Sequence, residues 1–598
     1  MLVQRLGQQS VMEARLPEDA DEGAVTLTLV TEDGSTSRRA LRAVLVPAAT
    51  DTHDQRGSHR RVSFDLTRLA DDPLPAGYHR LVLEGAGEPE EALVIAAPVC
   101  PGGPRTWGAF LPLHALRTES DDGVGTYSDL ARLADWVTSL GGGFVGTLPL
   151  YPAFLDPPAD PSPYLPVSRL AYNELFIDPR ALPEYAASRR DGESGGTEPD
   201  AGDLVDYEAL ARRRRRQLEP MARAVCSGEW PERCEQLAAF AVAHPELAAY
   251  ARFRAARETV AGNGLDPDVA EYHLYTQWVA CEQLAAAGRR GGRYADLPIG
   301  SHPEGFDPVW APDSFVPGVQ GGAPPDRFFA GGQSWGFRPL HPEGIRRDGY
   351  GFFIAALRRA FLHADCLRID HVMGLQRMYM IPEGHDATDG AYVSYRAEEL
   401  HALVALEAWR AGAQVVGEDL GTVPEEVRDR MRRDHMLRSW VFQFESTTEE
   451  PLPDPGPTTL ASLGTHDLPR FGSYLWGQDL GERAAMGHLS AREASAEHAA
   501  RTRWRQNLFD ILDIAPDEDP EQLTLIALAA CLRHLARSEA RVVLVDLEEL
   551  WDERRAQNHP GTTAKTNWSQ RARRTFEDFS TDTQLAQTLS TLTMERSA

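Results

Sequence analysis

The chain has 598 residues, 42% hydrophobic and 25% charged, which supports a substantial core and, at this length, roughly two to four domains or one large barrel with an appendage. Its 61 Lys and Arg against 89 Asp and Glu leave a net charge of −28, which excludes a general affinity for nucleic acid or an anionic membrane, since both require a basic face. A neutral substrate is indifferent to that charge.

The six cysteines are scattered with no C-x-x-C pair, so neither a disulfide framework nor a zinc site is expected, and a reducing cytoplasm is the natural compartment. Met1 to Leu16 lacks a signal-peptide core, and no apolar run is long enough to span a bilayer. Arg212 to Arg216 is the one basic block and reads as the solvated face of a helix. Lys565 is the only lysine, a mark of compositional bias rather than of mechanism.

Residues 1–100 alternate with period two: Val25, Leu27 and Leu29; Val62, Phe64 and Leu66; Leu81 and Leu83; then Leu93 to Ile95. Turn-rich pieces separate these runs, and the pattern predicts a small antiparallel β-sandwich. It has one tyrosine, Tyr78, and no tryptophan, so bracing is the expected role rather than sugar binding. Pro98 to Pro104 reads as a linker.

From Trp107 strands alternate with helical stretches, the signature of a parallel α/β arrangement. Eight strands are expected over residues 105–598: Trp107 to Leu113, Phe144 to Leu150, Tyr294 to Ile299, Cys366 to Asp370, Ala413 to Glu418, Trp440 to Phe444, Thr459 to Thr465 and Val542 to Val545. Eight is the count of a (β/α)8 TIM barrel. The gap at about 151–293 holds helix-like runs at Tyr207 to Ala224, Cys234 to Ala243 and Pro245 to Val260, around a Gly/Ser/Asp-rich stretch at Ser188 to Asp203, and reads as a largely helical insertion. The tail beyond Glu577 is polar, a helix or a frayed end.

Three of these strands end in acids. Arg368-Ile369-Asp370-His371 closes the fourth, Gly417-Glu418-Asp419 the fifth, and Gly464-Thr465-His466-Asp467 follows the seventh. An isolated R-x-D-H reads equally well as an Asp capping the next element with an Arg paired to it. At the C-terminal ends of barrel strands, however, catalytic side chains converge. Thr422-Val423-Pro424-Glu425 has capping-box spacing, placing a helix directly after the Glu418 loop. Facing carboxylates are what glycosidic-bond cleavage needs, one ionised and one protonated, about 5 to 5.5 Å apart in the retaining version.

Taken in order, the three segments resemble the active-site segments of the amylomaltase family of 4-α-glucanotransferases, the disproportionating enzymes. Further segments fit: Ala323-Pro324-Pro325-Asp326-Arg327-Phe328 with Gly332-Gln333-Ser334-Trp335-Gly336 resembles a lid loop, at about 322–337. Ser162-Pro163-Tyr164 and Asp296-Leu297-Pro298-Ile299-Gly300 resemble substrate-side segments, and Gln557-Asn558-His559-Pro560-Gly561-Thr562 with Asn567-Trp568 a C-terminal signature. Two departures stand out: Leu468-Pro469-Arg470 where many members have Asn, and Val372-Met373 where many have Phe-Arg. Neither touches a carboxylate.

The resemblance implies Asp370 as nucleophile, Glu418 as general acid/base and Asp467 as transition-state stabiliser, with Arg368 keeping Asp370 ionised. It implies His371 and His466 bonding sugar hydroxyls, Trp335, Tyr164 and Phe328 stacking on pyranose rings, and Asp326 and Gln333 in the lid. No cofactor and no metal are expected. The implied substrates are maltooligosaccharides and starch- or glycogen-derived α-1,4-glucans, with glucose as an acceptor. The reaction is a retaining double displacement through a covalent glycosyl-Asp370. A retaining α-glucan hydrolase using the same residues, and a noncatalytic glucan-binding protein, are the alternatives.

Overall fold

The computed structural model describes the chain apart from residues 7–10, 18–24, 41–43, 46–51, 55–56, 66–73, 86–87, 121, 156–158, 186–201, 259–266, 289–290, 326–330, 488, 516–518, 563 and 598. Eight short strands, β1 (Thr106–Phe110), β2 (Phe144–Gly146), β3 (Gly292–Leu297), β4 (Cys366–Ile369), β5 (Gln414–Gly417), β6 (Leu437–Val441), β7 (Thr459–Ser462) and β8 (Val542–Asp546), pair in that order. Thr106 lies opposite Val542, so β8 returns to β1 and closes the barrel, with every neighbouring pair parallel.

Side-chain parity then fixes what the barrel holds. Phe144, Tyr294, Cys366, Val416, Leu437, Leu460 and Val542, one from each of β2 to β8, form a single buried cluster. The interior is therefore a packed core, not a pore. Residues two and four places further on continue the inward row, because strand side chains alternate. That row carries Asp296 after Tyr294, Arg368 and Asp370 after Cys366, and Glu418 after Val416.

Several expected strands end early: β1, β2 and β7 stop at Phe110, Gly146 and Ser462. The apolar run continues past them because the loops themselves are buried, as Leu111, Leu113, Leu148 and Leu150 are. The sixth strand lies earlier than expected, with Phe442–Glu445 a helical turn.

Among the described residues, two sheets precede the barrel. One runs, in spatial order, Leu2–Arg5, Glu90–Ala97, Gly77–Glu84, Thr26–Val30 and Thr36–Ala40. The other joins Val11–Pro17, Gly57–Asp65 and Val44–Leu45, with Thr52–Asp54 on Gly57–Asp65. Val25, Leu27, Leu29, Val62, Phe64, Leu81 and Val94 pack between them, as the alternation requires, whereas Leu66 lies outside the described residues. The pairing is antiparallel except where Leu2–Arg5 runs parallel to Glu90–Ala97. This sandwich docks on the helix Ala397–Ala411: the Tyr78 hydroxyl donates to Glu407 at 2.7 Å and Arg5 Nε to Glu398 at 3.1 Å.

Between β2 and β3 stand helices Tyr207–Cys226, Pro231–Ala243, Pro245–Glu258 and Pro267–Gly288. The last was not expected: its aromatic residues Tyr272, Tyr275 and Trp278 are buried, so no single apolar stripe marks it. Most of the Ser188 to Asp203 stretch lies outside the described residues. The basic block is a solvated face only in part: Arg212 and Arg216 are exposed, but Arg214 turns inward. Arg214 is 1% exposed, with Nη1 donating to Asp122 at 2.9 Å and Nη2 to the Leu175 carbonyl at 3.0 Å. The polar tail is helical over Thr583–Ser597. Among the described residues no helix is long and apolar enough to cross a membrane.

Candidate active site

Ile369 of β4 pairs with Gly417 of β5 in the ladder. The next residue on each strand, Asp370 and Glu418, therefore stands one strand spacing apart, about 4.8 Å at the backbone, with both side chains on the inward row. His371 then breaks the strand with φ 45°, a left-handed conformation uncommon for a residue with a Cβ. That turn aims its N–H at Glu418 Oε2, 2.9 Å away, while Leu420 N–H donates to Oε1 at 2.7 Å. The Glu418 carboxyl is thus fixed by backbone at both oxygens. The expected capping box is not made: Pro424 is the N-cap of the helix Glu425–Arg433, and no side chain caps it.

Arg368 sits between two acids. Its Nη1 donates to both oxygens of Asp296, at 2.8 and 3.0 Å, and its Nη2 lies 3.0 Å from Asp370 Oδ1. Asp296 in turn accepts the Tyr164 hydroxyl at 2.6 Å. Burial pushes the Asp370 carboxyl up, and the Arg368 guanidinium works against that rise. Burial also pushes Glu418 up, against the pull of Arg368 and with the push of Asp370, to about 7. Desolvation, with the nearby Arg377 charge, lowers the half-buried His371 to about 4, so it is neutral at physiological pH.

Asp467 follows β7, and its Oδ1 accepts Asn558 Nδ2 at 2.7 Å while Oδ2 lies 3.3 Å from His466 Nε2. Burial raises this carboxyl, but His466 and Asn558 outweigh it and hold it at about 2. The His466 ring stacks on Tyr164 at 5.0 Å and 17°, with Trp568 tilted against both. One face of Tyr164 is consequently occupied by protein. Trp335 Nε1 donates to Gln333 Oε1 at 2.8 Å, and the Trp335 ring meets the His371 ring edge-on at 5.0 Å.

Asp370, Glu418, Arg368, His371, Trp335, Gln333, Tyr164, His466 and Asp467 are linked at this mouth by the contacts above; Asp326 and Phe328 lie outside the described residues. Asp296, Asn558 and Trp568 stand in segments that carry the family resemblance but have no expected role of their own. An acid on the inward row of β3 was the available signal for Asp296; nothing in the spacing ties Asn558 to Asp467. Among the described residues no group of three His, Cys, Asp or Glu is placed to hold a metal ion.

Comparison with known proteins identifies the family. The profile of the 4-alpha-glucanotransferase family matches residues 111–267 and 265–576, and that of the MalQ N-terminal beta sandwich domain matches residues 1–98. A 4-alpha-glucanotransferase of Mycobacterium tuberculosis is 32% identical, over 95% of this chain and 84% of the relative. The crystal structure of amylomaltase from Corynebacterium glutamicum superposes with a TM-score of 0.83 at 25% identity, covering 100% of this chain and 89% of that one. Amylomaltase from Streptococcus agalactiae, solved in complex with acarbose, shares the fold at a TM-score of 0.66 and 20% identity, over 82% of this chain and 99% of that one. The carboxylates at the barrel mouth, the sandwich before it and these matches together make the chain a member of the 4-alpha-glucanotransferase family, an enzyme that transfers α-1,4-glucan segments.

Proposed function

We propose that Asp370, Glu418 and Asp467 carry this transfer as a retaining double displacement. Arg368 forms an ion pair with Asp370, whereas the hydrogen bonds to the Glu418 carboxyl among the described residues come from backbone N–H groups, so the charge of the two acids rests on Asp370 and the proton on Glu418. An Asp370 oxygen forms a bond to the anomeric carbon as the glycosidic bond breaks, and the Glu418 proton goes to the leaving oxygen. The acceptor's 4-hydroxyl then gives its proton back to Glu418, its oxygen bonds the anomeric carbon, and Asp370 leaves. Asp467, ionised throughout, holds sugar hydroxyls and favours the oxocarbenium-like state.

The observation that carries this reading is the single strand spacing between Asp370 and Glu418, which suits the roughly 5 to 5.5 Å of retaining chemistry. His371 and His466 are placed to bond sugar hydroxyls. Trp335 and the free face of Tyr164 offer stacking surfaces, and Asp326, Phe328 and Gln333 belong to the lid at about 322–337. Residues 1–100 brace the catalytic unit at 105–598, into which about 151–293 are inserted. Maltooligosaccharides and longer α-1,4-glucans are the donors, and glucose is the smallest acceptor. The acarbose complex of the Streptococcus agalactiae amylomaltase fits such a substrate. All six cysteines are free thiols, in keeping with a reducing cytoplasm.

Maltotriose alone, resolved by chain length over time, tests the reading. Glucose together with maltopentaose and longer chains is expected; glucose and maltose without longer products would mean hydrolysis. Asp370→Asn is expected to lower turnover by at least about a thousandfold while maltotriose binding survives, and retained turnover would remove Asp370 as nucleophile.

A further inference from the structure

The loop after β7 runs Leu468-Pro469-Arg470, the departure from the family pattern, and its arginine goes inward. Arg470 is 2% exposed and ion-paired to Asp546, at the end of β8, and to Glu548. Glu548, 1% exposed, also accepts Gln557 Nε2 at 3.2 and 3.1 Å. Gln557 precedes Asn558, whose amide holds Asp467 Oδ1. One buried carboxylate therefore ties down both the arginine three residues after Asp467 and the glutamine beside Asp467's hydrogen-bond donor. The same loop is pinned twice more: Gln443 Nε2 donates to the Pro469 carbonyl at 2.8 Å, and Phe471 N–H to Glu549 Oε1 at 2.9 Å.

A buried ion cluster is a poor source of stability, because desolvating the charges offsets their attraction. What it does supply is a fixed geometry. Burial raises Glu548 to about 7 and Glu549 to about 8, so the acids outnumber the one guanidinium without all being charged.

We propose that Arg470, acting through Glu548 and Gln557, is a positioning residue that holds Asp467 and the Asn558 amide in one fixed arrangement at the barrel mouth. The inference rests on the role given above to Asp467. Because Asp467 acts in the transition state, loosening it costs turnover rather than substrate affinity.

The test uses the full-length protein with maltotriose, measuring kcat, KM and melting temperature for Arg470→Gln, Arg470→Lys, Glu548→Gln and Asp467→Asn. Arg470→Gln and Glu548→Gln are each expected to lower kcat at least about tenfold with KM within about threefold, in line with the cost of small misplacements at a reacting centre. Arg470→Lys retains more turnover than Arg470→Gln, and the double variant Arg470→Gln/Glu548→Gln is no slower than the worse single, since both act in one network. Should Arg470→Gln fold poorly, Glu548→Gln, which removes a charge at constant shape, decides the matter alone. Turnover within about twofold of the parent in folded Glu548→Gln would overturn the proposal, as would losses that merely track the folded fraction. If Asp467→Asn collapses while both clamp variants stay active, only the clamp is wrong; if Asp467→Asn stays active, the assignment of Asp467 itself falls.

Discussion

Glu418 receives two short backbone hydrogen bonds, at 2.9 and 2.7 Å, each of which favours its ionised form. Burial and the neighbouring Asp370 charge nevertheless win, and the carboxyl sits at about 7. The sign of the pH dependence follows. The working form of an acid is protonated, so kcat/KM is expected to fall about tenfold per pH unit above about 7. Asp467, at about 2, stays charged across the working range and adds no limb there. Glu418→Gln is expected to lower kcat by about 10²- to 10⁴-fold and to abolish the alkaline limb, because the group that titrates is gone. A profile in which that limb persists in Glu418→Gln would assign it elsewhere.

At the scale of elements, the barrel supplies the inward row and a small separate sheet carries Gln333 beside it. Gln333–Ser334, Val319–Ala323, Arg377–Pro382 and Ala391–Ser394 form an antiparallel sheet in that order, so the segment proposed as a lid pairs with Arg377–Pro382, a strand that begins a few residues after Asp370. The Gln333 to Trp335 bond stiffens this segment beside His371. Trp335→Ala is expected to let water compete with the acceptor sugar, raising hydrolysis relative to transfer by about fivefold, read as reducing ends gained against the ladder of longer chains. An unchanged ratio would mean that Trp335 takes no part in excluding water. The eight barrel strands were legible in the sequence because each belongs to a short, largely apolar run between helical stretches, and the polar clusters after β4, β5 and β7 contain the acids. The small sheet was not: Gln333–Ser334 is two residues long, and Ala391–Ser394 has no buried residue, so period-two patterning has nothing to act on. Asp296 escaped for a related reason. Its place on the inward row is visible only once Tyr294 is known to face the interior, and its partners Tyr164 and Arg368 are far away in the sequence.

In the whole molecule, the sandwich lies along the outer helix Ala397–Ala411, from Glu398 to Glu407, and also reaches Asp434. Asp434 precedes β6, at the N-terminal end of that strand, whereas the acids emerge at C-terminal ends. Arg5 reaches in from the first strand of the sandwich, its Nη1 3.1 Å from Asp434 Oδ1, with side chains 9% and 1% exposed. His401 Nδ1 lies 2.9 Å from the other Asp434 oxygen, and Arg433 Nε 3.4 Å from Oδ1. The sandwich was legible from its alternation, but this joint was not, since Arg5 and Asp434 carry no local signal. Removing one partner of a buried pair costs about 3 to 5 kcal/mol, and His401 and Arg433 remain to soften the loss, so Arg5→Ala is expected to cost about 2 to 3 kcal/mol. Burial raises the Asp434 carboxyl, yet His401, Arg5 and Arg433 together hold it below its usual 3.8. The stabilisation is therefore present above pH 3.8 and is lost as pH falls through the lower folded value. Thermal melts of the parent and Arg5→Ala should differ by several degrees near pH 7 and converge in that acid range, while kcat on maltotriose at pH 7 stays within about twofold. A melting difference that persists at low pH would locate the effect in packing by the Arg5 stem, and a matching loss of kcat would couple the sandwich to the mouth.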